Sequence, residues 1–140
     1  MMLRRRLATN DKGAAAVEMA FALPVFIVML WAFVQLGEVY RALAGIQQAL
    51  GQGARFATLC QNPSMSSGCS MPSTASVKTD IQNSVYGVGP GTFTVSDPVT
   101  GTSGNATYYD LTVTYTQPTS LLLIPGPTIT VTRSKRVWVA

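Results

Sequence analysis

The stretch GAAAVEMAFALPVFIVMLWAFVQL, residues 13–36, limits what this chain can fold into more than any other feature. Across residues 14–36 every position is apolar or small except Glu18, Pro24 and Gln35. As a helix rising about 1.5 Å per residue, such a run is long enough to cross a bilayer core of roughly 30 Å. Arg4, Arg5, Arg6 and Lys12 precede it, whereas only Arg41 and then Arg55 follow it closely. The positive-inside rule therefore predicts a cytoplasmic N-terminus, with the rest of the chain beyond the span on the other side. A secretory signal peptide also begins with basic residues, and Ala42-Leu43-Ala44 has the small-x-small form of its cleavage site. The apolar run exceeds the roughly 7–15 residues of such signals, and Glu38, Tyr40 and Arg41 make a poor approach to the site.

The charge distribution narrows the function classes. The 140-residue chain carries a formal net charge of +4. Residues 1–13 hold four basic groups and one acid, Asp11, so most of the excess lies before the span. The remainder is close to neutral, which argues against a polyanion-binding surface and makes the basic cluster a topology signal rather than a nucleic-acid site. The chain has no histidine. Imidazole-based catalysis and most zinc sites are thereby removed, and no carboxylate or Ser/Lys spacing points to another chemistry. A non-enzymatic protein with neither metal nor cofactor is the expectation.

Two residues inside the run are unusual. A carboxylate costs about 2.5–3.5 kcal/mol at a bilayer centre and less near an edge, and Glu18 lies in the first turns. It either reaches the cytoplasmic interface or has a partner. A cut after Gly13 would give Ala14 a free α-amine one helical turn from Glu18, a natural counter-charge within a chain or between neighbours, and the positive end of the helix dipole would favour the carboxylate too. Pro24 removes one helical hydrogen bond. It is either a kink that helps neighbouring helices pack or the ordinary enrichment of proline in membrane helices.

The order basic leader, Gly13, Ala14-Ala15-Ala16-Val17-Glu18, then an apolar helix resembles type IV prepilins and pseudopilins. With Pro24 in GAAAVEMAFALP, it resembles especially the TadE-like pseudopilins of the tight-adherence (Flp) pilus system. The resemblance implies that a prepilin peptidase cuts between Gly13 and Ala14, and that Glu18 serves processing and subunit assembly. It also implies other pilin subunits, an inner-membrane assembly platform and membrane lipid as partners. The strong part of the likeness covers about residues 4–57.

Beyond residue 36 the helix continues. Val39, Leu43, Ile46, Leu50, Ala54 and Ala57 recur on one face, with Arg41, Gln48, Gln52 and Arg55 opposite. The whole is one helix over 14–57, about 44 residues and on the order of 65 Å long. Residues 60–76 read as a loop rich in Ser, Pro, Asn and Met. Cys60 and Cys69, the two cysteines of the chain, read as a disulfide in an oxidising compartment. A short helix over 73–85 follows, capped by Ser73 or Ser76, with Val77, Ile81 and Val85 on one face. The glycine-rich stretch 87–91 ends it and lacks the following helix that a phosphate loop needs.

The rest alternates with period two. Phe93 and Val95 form one strand. Tyr109, Leu111, Val113 and Tyr115 form the clearest, which Pro118 closes. Ile129 and Val131 form another, with 137–139 continuing or ending it. Residues 101–105 read as a turn-rich link, and the apolar run 121–127 breaks the pattern as a loop over the core or near the membrane, or as a patch that a neighbouring subunit covers.

The expected fold class is α+β and pilin-like: a long N-terminal transmembrane helix packed on a small antiparallel sheet. The expected domains are a cleaved cytoplasmic leader (1–13), the helix (14–57, of which 14–36 is transmembrane), and a periplasmic α+β domain (58–140). The expected function is that of a minor pseudopilin of a Tad pilus, acting in assembly or priming and hence adherence. It would sit in the inner membrane as a single-pass protein and enter an extracellular pilus. The alternative is an unprocessed single-pass protein whose outer domain binds a partner.

Overall fold

The computed structural model describes residues 11–60, 70–85, 89–120, 122 and 124–139. Helix α1 runs over Asp11–Ala57 without interruption at Pro24. At 47 residues it is about 70 Å long. It begins three residues before the expected Ala14, so Gly13 is helical in the uncut chain, and it ends at the expected residue. Thr58 and Leu59 donate back to the carbonyls of Arg55 and Phe56 at 3.1 Å, closing the helix with tighter bonds. Helix α2 spans Thr74–Ser84 and is capped by Ser73, whose Oγ accepts from the Ser76 N–H at 3.2 Å.

Four strands form one antiparallel sheet: β1 (Thr92–Val95), β2 (Val99–Ser103), β3 (Ala106–Ser120) and β4 (Pro125–Val139). Strand β3 is the centre. Along one edge it pairs with β4 over nearly its whole length, from Thr107↔Val139 to Ser120↔Pro125. Its other edge is shared end to end, β2 taking residues 106–110 and β1 taking 113–116.

Three strand-level expectations are corrected. Residues 101–103 are strand, not link; only Gly104 and Asn105 turn, with Gly104 at φ +62° as a two-residue hairpin requires. Gly101 belongs in the strand because its missing Cβ makes room for the Tyr108 ring from the paired residue opposite. Pro118 does not end β3, since β1 has stopped by Thr116 and a residue without a donor fits beside an unpaired edge. Residues 125–127 begin β4, which then runs unbroken through Val139.

The core lies where the outer half of α1 meets α2 and one face of the sheet. Val39, Ala42, Ile46, Ala49, Leu50, Ala54 and Ala57 are buried against Val77 and Ile81 of α2 and Val95, Leu111, Val113, Tyr115, Val137 and Val139 of the sheet. Leu43, expected on this face, is only half-buried, and Ala42 and Ala49 take the central positions. Small residues there let sheet and helix approach closely. Arg41, Gln48, Gln52 and Arg55 are exposed, as expected from the opposite face.

The fold is therefore α+β: a long apolar helix packed on a small antiparallel sheet. Among the described residues α1 is the one helix long and apolar enough to cross a membrane.

Candidate functional site

The N-terminal half of α1 carries the residues singled out from sequence. Gly13, Ala14, Glu18 and Pro24 are all exposed. Ala14 and Glu18 lie four residues apart, one turn along a common face. No described side chain bonds Glu18. It borders a shallow apolar groove made by Val17, Phe21, Ala22, Val25, Phe26 and Met29. Phe21 is 75% exposed, and the most apolar window of the helix has none of its residues buried. A surface this apolar on an isolated chain requires lipid or protein to cover it.

Where α1 meets the sheet, a chain of hydrogen bonds joins residues far apart in sequence. The Gly91 N–H donates to the Tyr115 hydroxyl at 3.2 Å, that hydroxyl donates to Gln117 Oε1 at 2.6 Å, and Gln117 Nε2 donates to Glu38 Oε2 at 3.1 Å. Tyr115 and Gln117 are buried, and Gln117 continues the inward face of β3 beyond Leu111, Val113 and Tyr115. The Phe93 ring packs on Tyr115 with centroids 4.7 Å apart. Toward the N-terminal half of the helix, the Ser120 carbonyl accepts from the Trp31 indole at 2.9 Å and also from the Gln35 amide, while the Ser120 N–H donates to Gln35 Oε1 at 3.2 Å. These residues border a cleft of ≈ 270 Å³. Because every buried polar side-chain atom among the described residues is satisfied, the network works as a fastener between helix and sheet.

Burial raises the Tyr115 phenol above its usual value of about 10; the Gly91 bond opposes the rise and the Glu38 charge adds to it. A raised acid favours the neutral folded state, so this contribution to stability is present below pH about 10 and is lost as pH rises through the raised value. In a tyrosinate absorbance titration of the five tyrosines, Tyr115 is expected to ionise above the ordinary value. Tyr115→Phe should remove that late step and cost about 1–3 kcal/mol by leaving the Gln117 oxygen without its donor. An unchanged late step in Tyr115→Phe would reject the assignment.

The opposite face of the sheet carries a surface cluster. Arg136 donates two bonds to the Asp110 carboxylate, both 2.8 Å, and holds it below the usual carboxylate range. Its guanidinium lies 4.0 Å from the Tyr108 ring centroid, and Tyr108 meets Trp138 edge-on at 5.3 Å. These are directly opposed positions on β3 and β4, the unit of sheet stabilisation.

Cys60 is disulfide-bonded. Cys69, its expected partner, lies outside the described residues, as do Arg4, Arg5 and Arg6. Among the described residues no group of three His, Cys, Asp or Glu is placed to hold a metal ion.

The Glu38–Gln117 fastener belongs to no sequence motif. Its signal in the sequence was a glutamine at an inward position of an otherwise apolar period-two series. In the sequence Glu38 stands out only as a poor approach to a signal-peptide cut.

Taken together, a span-length helix with an uncovered N-terminal half and a small sheet fastened to its outer half define an α+β protein with one span-length helix among its described residues. Within it, residues 13–55 match the family model described as TadE-like protein. That segment is similar to the TadE-like family, in agreement with the resemblance carried by Gly13, Glu18 and Pro24. No curated protein and no solved structure matches the chain.

Proposed function

We propose that this chain is a minor pseudopilin of a Tad (Flp) type IV pilus, cut between Gly13 and Ala14 by a prepilin peptidase. Association with a Tad pilus is what the TadE-like match suggests, and the observation that carries the reading is where that match begins. It starts at Gly13, includes Glu18, and covers the half of α1 that no described part of the chain buries. In this reading residues 1–13 are a cytoplasmic leader, 14–36 span the inner membrane, and the outer domain lies in the periplasm. After processing, the apolar helices pack head to tail with other pilin subunits on the assembly platform. Such heterologous contacts give an open helical assembly when the rotation does not close. Glu18 meets an Ala14 amine of its own or a neighbouring chain. A signal-peptide cut after Ala44 fits poorly, because Val39 and Ala42 are core residues that it would remove.

The test is the intact mass of the protein extracted from membranes. A chain beginning at Ala14 is expected, and a Gly13→Val chain should keep Met1. A native chain that keeps Met1 in cells with active prepilin peptidase would overturn the reading and leave an unprocessed single-pass protein.

A further inference from the structure

Ser120 ends β3 and Pro125 begins β4, and the two are paired. The hairpin tip between them reads Leu-Leu-Leu-Ile in sequence, where turn chemistry favours glycine, asparagine and aspartate. Leu122 has φ +61°, a conformation carrying a steric cost for a leucine that glycine would avoid. The described side chains of the tip stay largely uncovered: Leu122 is 50% exposed and Ile124 is 65% exposed.

The end of β3 from which the tip departs is fixed in place. Trp31 and Gln35 bond Ser120 through both its carbonyl and its N–H. This holds the end of β3 beside the turn from Trp31 to Gln35, within about 8 Å along the axis of the end of the apolar run. The same bonds satisfy the backbone groups that a strand end cannot leave unpaired in hydrocarbon. Leu122 and Ile124 follow this anchor by two and four residues and leave two large exposed apolar side chains close in sequence to the point where the sheet meets the uncovered half of α1.

The geometry points to a second membrane contact: the β3–β4 tip enters the outer leaflet beside the helix, with Leu122 and Ile124 in lipid at the boundary between headgroups and acyl chains. The inference rests on the reading of residues 14–36 as a membrane span. It makes the outer domain a body held to the bilayer at two points rather than one suspended from a stalk.

Depth-dependent quenching tests it. The full chain, its native cysteines left oxidised, carries one added cysteine at Leu122, Phe26 or Thr130, bearing an environment-sensitive dye. It is reconstituted at low density in phosphatidylethanolamine/phosphatidylglycerol vesicles with nitroxide lipids, and the unmodified chain supplies the labelling blank. Quenching at Leu122 is expected to approach that at Phe26 and to exceed that at Thr130 several-fold, with shallow nitroxides more effective than deep ones. Ile124 provides a second labelling site if the Leu122 variant folds poorly. Quenching at Phe26 with Leu122 resembling Thr130 overturns the tip contact and leaves the span intact. No quenching at Phe26 overturns the span and the tip together. A spectral shift at Leu122 that needs high protein density and ignores the nitroxide assigns the tip to a second copy of the chain and overturns the lipid contact.

Discussion

Ile81→Ala is expected to destabilise the outer domain by about 2–5 kcal/mol, the range for deleting a fully buried aliphatic side chain. Against a total of roughly 5–15 kcal/mol, that is enough to leave much of the domain unfolded on mild warming. Ile81 is fully buried where α2 crosses α1, directly over Gly53. A Cβ on Gly53 would overlap Ile81 Cγ1 and Cδ1. Gly53→Ala alone should therefore be destabilising: overpacking costs about 1–3 kcal/mol, and the better helix propensity of alanine returns up to about 1 kcal/mol. Combined with Ile81→Ala, the same change should become stabilising, because the added methyl enters vacated space and the propensity gain remains. Denaturant unfolding of the full chain in detergent, monitored by near-UV circular dichroism, measures all four corners of the cycle. Additive effects would mean that Gly53 and Ile81 do not share one space.

Glu18→Ala is expected to move two readouts in opposite directions. Removing a carboxylate from an apolar helix near the membrane edge makes insertion easier, by less than the 2.5–3.5 kcal/mol that applies at a bilayer centre (roughly). Assembly should suffer, because a carboxylate and an amine about 4 Å apart attract by roughly 4 kcal/mol at an effective dielectric of 20. At about 1.4 kcal/mol per tenfold, even a third of that attraction is a large change in subunit affinity. Glu18→Gln separates charge from shape and should resemble Glu18→Ala. The measurements are the amount of chain in the membrane fraction and the amount of pilus released by shearing. Normal piliation in the Glu18→Ala strain would remove Glu18 from the mechanism.

Features set by local pattern were legible in the sequence. The apolar run and its amphipathic continuation predicted α1 to its last residue, and the alternation over 109–115 predicted the inward face of β3. Both signals repeat within a few residues and need no partner to be read. Features set by a distant partner were not legible. The stretch VTGTS has no apolar alternation; it is a strand because β3 lies beside it and Tyr108 covers Gly101. The middle of β4 is interrupted by Arg133, Lys135 and Arg136, which belong there because that part of the strand is exposed. The candidate site divides the same way. Gly13, Ala14 and Glu18 fall within six consecutive residues, whereas Glu38 and Gln117 are separated by 79 positions and meet only after folding.

The continuity of α1 has a mechanical consequence. The helix passes from the apolar run into the core of the outer domain with no break, and the Glu38–Gln117 and Trp31–Ser120 bonds clamp the sheet to it on either side of residue 36. The domain has no swivel of its own. Turning the helix by one residue of register, about 100°, turns the whole domain with it. In a packed array of such helices, the outward face of the array, whether the threonine-lined strands or the Trp138 cluster, is dictated by which helical face finds a neighbour inside.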